Sequence, residues 1–352
     1  MTTALHLSSI IKPSINMERL HAVLFPHWAL WAMPSLVLAL CALIDGASPR
    51  IEVANFGYAV VYIYFPLAWF LMLWRYVRFH TFDWFLHRVW CAMVLYLWVN
   101  YTACCVALFS HMLFAFGFPL IDHSLAAADQ ALGFDWNAYA HVMYDHPWAN
   151  FIFSNSYAKL TLSGIVLTPV IAILRNDRIR VIEICFLMSA TALTCVVIAG
   201  FFPAYPATDS LADAGILRAI ELNGRHYLAV ISAQLHALRE AAHVVIDPRT
   251  AEGLVCFPSF HCCMALIIFY CNRGLGPVSW LAYLTGIVII VATPVYGGHY
   301  LVDIFGGGLI TLFYVWIWKV KILPRLSPYL PGTSAQDFAL PHFFKRLLFM
   351  AN

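Results

Sequence analysis

The chain has 352 residues, of which 62% are hydrophobic and 11% charged, and its formal net charge is +2. A soluble domain carries about 25% charged residues, because its surface must face water, so a soluble enzyme is excluded. The near-neutral balance gives no electrostatic footprint for a nucleic-acid partner.

A bilayer core of about 30 Å takes about 20 apolar residues in helical form. Eight runs approach this, at roughly 28–45, 57–74, 89–116, 152–174, 181–202, 256–272, 278–296 and 300–318. Lys12 and Arg19 precede the first, as in a signal peptide, but no small-x-small cleavage site follows. Leu40 is also too large for the position before a lipoprotein cysteine at Cys41, so the run reads as a retained span. The sequence thus predicts an all-α integral membrane protein. It divides into N-terminal spans (1–116), an acidic extracytoplasmic segment (117–151), a membrane core (152–320) and a tail (321–352).

Basic residues alternate between loops. Lys12 and Arg19, then Arg75, Arg78 and Arg88, then Arg175, Arg178 and Arg180, then Arg273, and finally Lys319, Lys321 and Arg325 fall on one side. The positive-inside rule makes that side cytoplasmic, with both termini on it. Residues 117–151 hold no Lys or Arg before the fourth span but carry Asp122, Asp129, Asp135 and Asp145, and belong outside. Their amphipathic pattern is imperfect, which favours an ordered loop over an interfacial lid. In the tail, Phe343 to Leu348 is expected to rest on the membrane surface. The ten cysteines lie in or beside apolar runs without a C-x-x-C pair, and read as small buried hydrophobes.

Two stretches carry chemistry. Phe257-Pro258-Ser259-Phe260-His261 opens the sixth span, and Gly297-Gly298-His299-Tyr300-Leu301-Val302-Asp303 opens the eighth. Counting spans places both histidines at one membrane face. Pro258 suits a first helical turn, and Ser259 with the free amides of that turn can receive an anion. His261 stands where it could protonate an ester oxygen. His299 and Asp303, four apart, share a helix face, and a carboxylate there orients the ring and stabilises its positive form. An oriented imidazole is a competent nucleophile or base. Gly297 and Gly298 leave room for a ligand, and Gly306-Gly307-Gly308 permits close helix packing. His226, His236 and His243 have no recognisable zinc spacing, and neither a metal nor another cofactor is expected.

These residues resemble the type 2 phosphatidic acid phosphatase superfamily, whose members carry Pro-Ser-x-His and, later, His-x-x-x-Asp. Here these are Pro258-Ser259-Phe260-His261 and His299-Tyr300-Leu301-Val302-Asp303. The resemblance implies a six-helix lipid phosphatase-like core. It implies that His299 attacks phosphorus to form a phosphohistidine, oriented by Asp303. His261 would serve as acid and then base, and Ser259 would bind phosphoryl oxygens. The superfamily's Lys-x6-Arg-Pro element is absent, since no lysine occurs between Lys159 and Lys319. Arg218, Arg225, Arg239 and Arg249 remain to supply that charge, with Arg239 preferred. Ala292-Thr293 replaces the usual Ser-Arg pair, and Phe260 stands where many phosphatases have glycine.

Gly-His-Tyr-Leu-Val-Asp is similar to the inositol phosphorylceramide synthase branch, which transfers a phosphorylated head group to a lipid alcohol. The expected function is therefore phosphoryl transfer on a lipid phosphate or phospholipid, with water or a lipid alcohol as acceptor. A non-enzymatic transporter that kept the fold is the remaining alternative. Transporters, however, place polar groups near the midplane, whereas these lie at span ends.

Overall fold

The computed structural model describes residues 35–48, 50–54, 84–175, 177–223, 226–247 and 253–326. The expected second span, the start of the first and the tail segment Phe343 to Leu348 lie outside the described residues.

Helix α1 (Ser35–Ala47) precedes strand β1 (Ile51–Val53) and the long α2 (Trp84–Ala115). The acidic segment is helical: α3 (Asp122–Ala131) and α4 (Trp136–Asp145). Asp135 starts α4 by accepting the Ala138 amide at 3.0 Å, an N-cap satisfying an otherwise orphaned donor. The ordered-loop expectation therefore gives way to a helical pair. Its amphipathic period is broken at Gly133, whose positive φ of 74° forms the turn between the helices.

Helix α5 (Pro147–Asn155), a π-helical turn (Ser156–Leu160) and α6 (Thr161–Leu174) follow without a break and cover the expected fourth span. Then come α7 (Arg178–Phe201), the shorter helices α8 (Ala207–Leu211), α9 (Ala214–Leu222) and α10 (His226–Glu240), and strand β2 (Val244–Ile246). The two strands pair in parallel, Ile51 opposite Val244. Arg50 fastens this corner: its guanidinium donates to the carbonyls of Ala115 (2.8 Å), Leu238 (3.0 Å), Arg239 (2.7 Å) and Ala241 (3.1 Å). A cation is the natural partner for the free carbonyls at the ends of α2 and α10.

The last three major helices are α11 (Phe260–Cys271), α12 (Pro277–Tyr296) and α13 (Leu301–Ile317), with α13 running through a second π-helical turn into α14 (Leu323–Leu326). Among the described residues, Ile179–Phe201, Pro277–Tyr296 and Leu301–Leu326 are long and apolar enough to cross a membrane. The shorter apolar helices are Ser35–Ala47, Tyr101–Ala115, Thr161–Leu174 and Phe260–Cys271. Exposed Phe305, Leu309, Phe313 and Trp316 make a stripe along α13 at helical spacing, as a lipid-facing surface does.

Helix α11 is the centre of the bundle, packed on α6, α7, α12 and α13. Glycines set its closest approaches. A Cβ at Gly286 of α12 would lie 2.9 Å from the Ala265 carbonyl, and one at Gly307 of α13 would overlap the Ser259 carbonyl. At the far end of α11, Arg273 donates to both oxygens of Glu183, at 2.9 and 3.0 Å. Arg180 donates to the Cys271 carbonyl at 2.7 Å. This ionic knot ties α7 to α11 at the end opposite the two histidines.

Candidate active site

Four residues named from the sequence come together where α11 and α13 begin. Ser259 is the N-cap of α11, its hydroxyl accepting the Cys262 amide at 3.3 Å. Its own proton stays available to a ligand, as do the first-turn amides of Phe260 and His261. The Ser259 amide donates to the Asp303 carbonyl at 3.0 Å, locking the start of α11 to the first turn of α13. His299 Nδ1 donates to Asp303 Oδ2 at 3.1 Å, and the Tyr300 amide donates to the same oxygen at 3.0 Å. With Nδ1 held, Nε2 is the ring nitrogen left for chemistry. The rings of His261 and His299 are 6.3 Å apart and inclined at 60°. Ser259, His299 and Asp303 are each at most 2% exposed.

Tyr157 completes the constellation. Its hydroxyl is 2.8 Å from His261 Nδ1, and the two rings stack at 4.3 Å. It sits in the π-helical turn between α5 and α6, and such turns recur at functional sites.

The acidic segment roofs the site. Both oxygens of Asp129 accept α13 amides, from Leu301 at 2.8 Å and Val302 at 2.9 Å. Asp122 accepts the Tyr300 hydroxyl at 3.2 Å and the Tyr205 amide at 2.9 Å. The Trp136 indole donates to the His299 carbonyl at 3.2 Å. Burial raises both aspartates above the ordinary carboxylate range, and these donors partly offset it. Because Asp129 occupies the α13 terminus, the amides of α11 are the helix terminus left for an anion.

Tyr157, Asp129, Asp122 and Trp136 escaped the sequence reading, which followed the two histidine stretches. Asp122 and Asp129 stand two helical turns apart on one face of α3, a signal that was legible but read only as charge.

Arg239 is placed apart from the four. It donates to the Phe118 carbonyl at 2.9 Å and lies over the Phe114 ring at 5.6 Å. Arg218 is exposed on α9, and Arg225 and Arg249 lie outside the described residues. Among the described residues, no Lys or Arg hydrogen-bonds to Ser259, His261, His299 or Asp303. His236 pairs with Glu240 and His243 with Glu52, away from the site. No group of three His, Cys, Asp or Glu among the described residues is arranged to hold a metal ion.

The profile of the PAP2 superfamily matches residues 123–317, more than half of the chain. The chain belongs to the PAP2 superfamily. The matched region takes in both histidine stretches, Tyr157, and the roof from residue 123 onward, Asp129 and Trp136 included. PAP2 superfamily members are generally phosphatases or phosphotransferases, and the helical, apolar build agrees with the membrane proteins among them. No curated protein and no solved structure matches the chain.

Proposed function

We propose that the protein transfers phosphoryl or phospho-head groups from a lipid phosphate or phospholipid through a phosphohistidine at His299. The observation that carries this reading is the pairing of a carboxylate-held His299 with a second imidazole 6.3 Å away on α11. His299 Nε2 bonds phosphorus as the ester P–O bond breaks, and Asp303 stabilises the ring that becomes positive. The leaving oxygen takes its electron pair and a proton from His261. An acceptor oxygen then gives its proton to His261 and attacks phosphorus, breaking the P–N bond. Ser259 and the first-turn amides of α11 hold the phosphoryl oxygens.

In this reading about eight helices span the membrane, both termini are cytoplasmic and the site faces outward. Arg175, Arg180 and Arg273 at one end of the bundle and the histidines at the other support that sidedness. A lipid alcohol is favoured over water as acceptor because the site is roofed and Ser259, His299 and Asp303 are buried, which restricts bulk water. The missing cations also separate it from the ordinary phosphatase pattern.

The test is an assay of the purified protein with a panel of lipid phosphates and phospholipids, with and without added lipid alcohols. Phosphate release without an acceptor marks hydrolysis, and a new phospholipid formed only with an alcohol marks transfer. Either activity must vanish in His299→Ala. Turnover that survives this change contradicts the reading.

A further inference from the structure

The two imidazoles of the site have partners of different kinds. His299 Nδ1 faces the carboxylate of Asp303, whereas His261 Nδ1 faces the phenol of Tyr157, at 3.1 and 2.8 Å. A carboxylate stabilises a ring as it turns positive, which suits the atom that attacks phosphorus. A neutral phenol adds no charge. It can accept from Nδ1–H whether or not Nε2 carries a proton, because its oxygen has lone pairs as well as a donor. Nε2 of His261 is then free to lose a proton in one step and regain it in the next.

From this geometry we infer that Tyr157 is the positioning residue of the proton-transferring histidine. It acts through His261 and not on the substrate. Stacking at 4.3 Å and 29° fixes the plane of the imidazole, and the hydroxyl fixes its rotation within that plane. The surroundings are shaped for the phenol tip. Tyr157 is 7% exposed. A Cβ at Gly297 would lie 2.6 Å from its hydroxyl oxygen and 2.8 Å from His299 Cδ2, so the glycine two residues before the nucleophile admits the tyrosine. The π-helical turn at Ser156–Leu160 shifts the helical phase where Tyr157 must point at α11. A phenylalanine would stack equally well, so packing alone does not require the hydroxyl.

The inference rests on the phosphohistidine reading, and its test separates the two. Tyr157→Phe keeps the stacked ring and removes only the oxygen. First-turnover rates are measured on two phosphate monoesters with chains of equal length. One has an alkyl alcohol as leaving group, and the other has a nitrophenol. The nitrophenolate leaves without protonation, so an acid-positioning role matters little for it. We expect Tyr157→Phe to slow the alkyl ester by about tenfold to a hundredfold, with KM within about twofold, given that general acid catalysis contributes about 10²–10⁴ in all. The nitrophenyl ester should change by less than about threefold, and His261→Ala should show the same selectivity. The ratio of the two rates is internal to each preparation, so incomplete folding cancels. Equal losses on both esters, or no loss on either, overturn the positioning role. If His299→Ala also turns over both esters, or if wild type turns over neither, the functional reading falls and the inference with it.

Discussion

Gly306, Gly307 and Gly308 read alike in the sequence, as a small-residue patch for close helix contact, yet their surroundings differ. A Cβ at Gly307 would overlap the Ser259 carbonyl and approach Cys262 Cβ to 3.2 Å, whereas one at Gly308 meets nothing nearer than Leu266 Cδ1 at 3.9 Å. Gly307→Ala should destabilise the protein by about 1–3 kcal/mol, as overpacking does, and disturb the Ser259 cap. Gly308→Ala should leave the detergent melting curve nearly unchanged. Equal effects would show that the α11–α13 contact is misplaced. Motif and spacing made Ser259, His261, His299 and Asp303 legible as candidates, because Ser259 with Cys262 and His299 with Asp303 pair within the same short stretches. Tyr157 and Asp129 depend on contacts 104 and 172 residues away in sequence, which no local pattern records.

The helical roof is held as an element by α4 against α9. His141 Nε2 lies 2.9 Å from Asp213 Oδ2, and Asp213 Oδ1 accepts the Ile216 amide at 2.9 Å as the N-cap of α9. The partner carboxylate raises His141 above the ordinary 6.5, and the capped amide first, then His141, lower Asp213 below the ordinary 3.8. A raised histidine contributes stability that is complete below its unfolded pKa and lost as pH rises through its folded one. A lowered aspartate contributes stability present above its unfolded pKa and lost as pH falls through its folded one. The contact is thus strongest in mildly acidic solution and weakens above neutrality. Hydrogen exchange of the α4 amides, corrected for intrinsic rate, should show falling protection as pH rises past 7. His141→Gln should remove that trend, and a trend unaltered by the substitution would assign it to another group. Asp129→Ala, which strips the cap from α13, should cost about 1–2 kcal/mol in the same preparation.

Across the whole molecule, α11 links two ends of opposite character. One holds the histidines, and the other buries Arg273 against Glu183, both at most 2% exposed. The apolar runs made the helical build and its membrane-length helices legible. Arg273 was legible only as a loop charge, because Glu183 stands within an apolar run and the pairing needs the folded bundle. Glu183→Ala leaves a buried cation alone and should cost about 3–5 kcal/mol, read as a fall in detergent melting temperature. A change under about 1 kcal/mol would mean that the pair is solvated. Arg239 marks a further limit, since charge type alone chose it and the fold engages it at Phe118. The central claim, that His299 carries the phosphoryl group, is tested most directly by trapping it. The protein is quenched in alkali during turnover of a lipid phosphate, digested and mapped by mass spectrometry. The account predicts one alkali-stable phosphoryl group on His299, absent from His299→Ala and accumulating in His261→Ala with the nitrophenyl ester. Turnover with the label on another residue, or with no label in any variant, would contradict it.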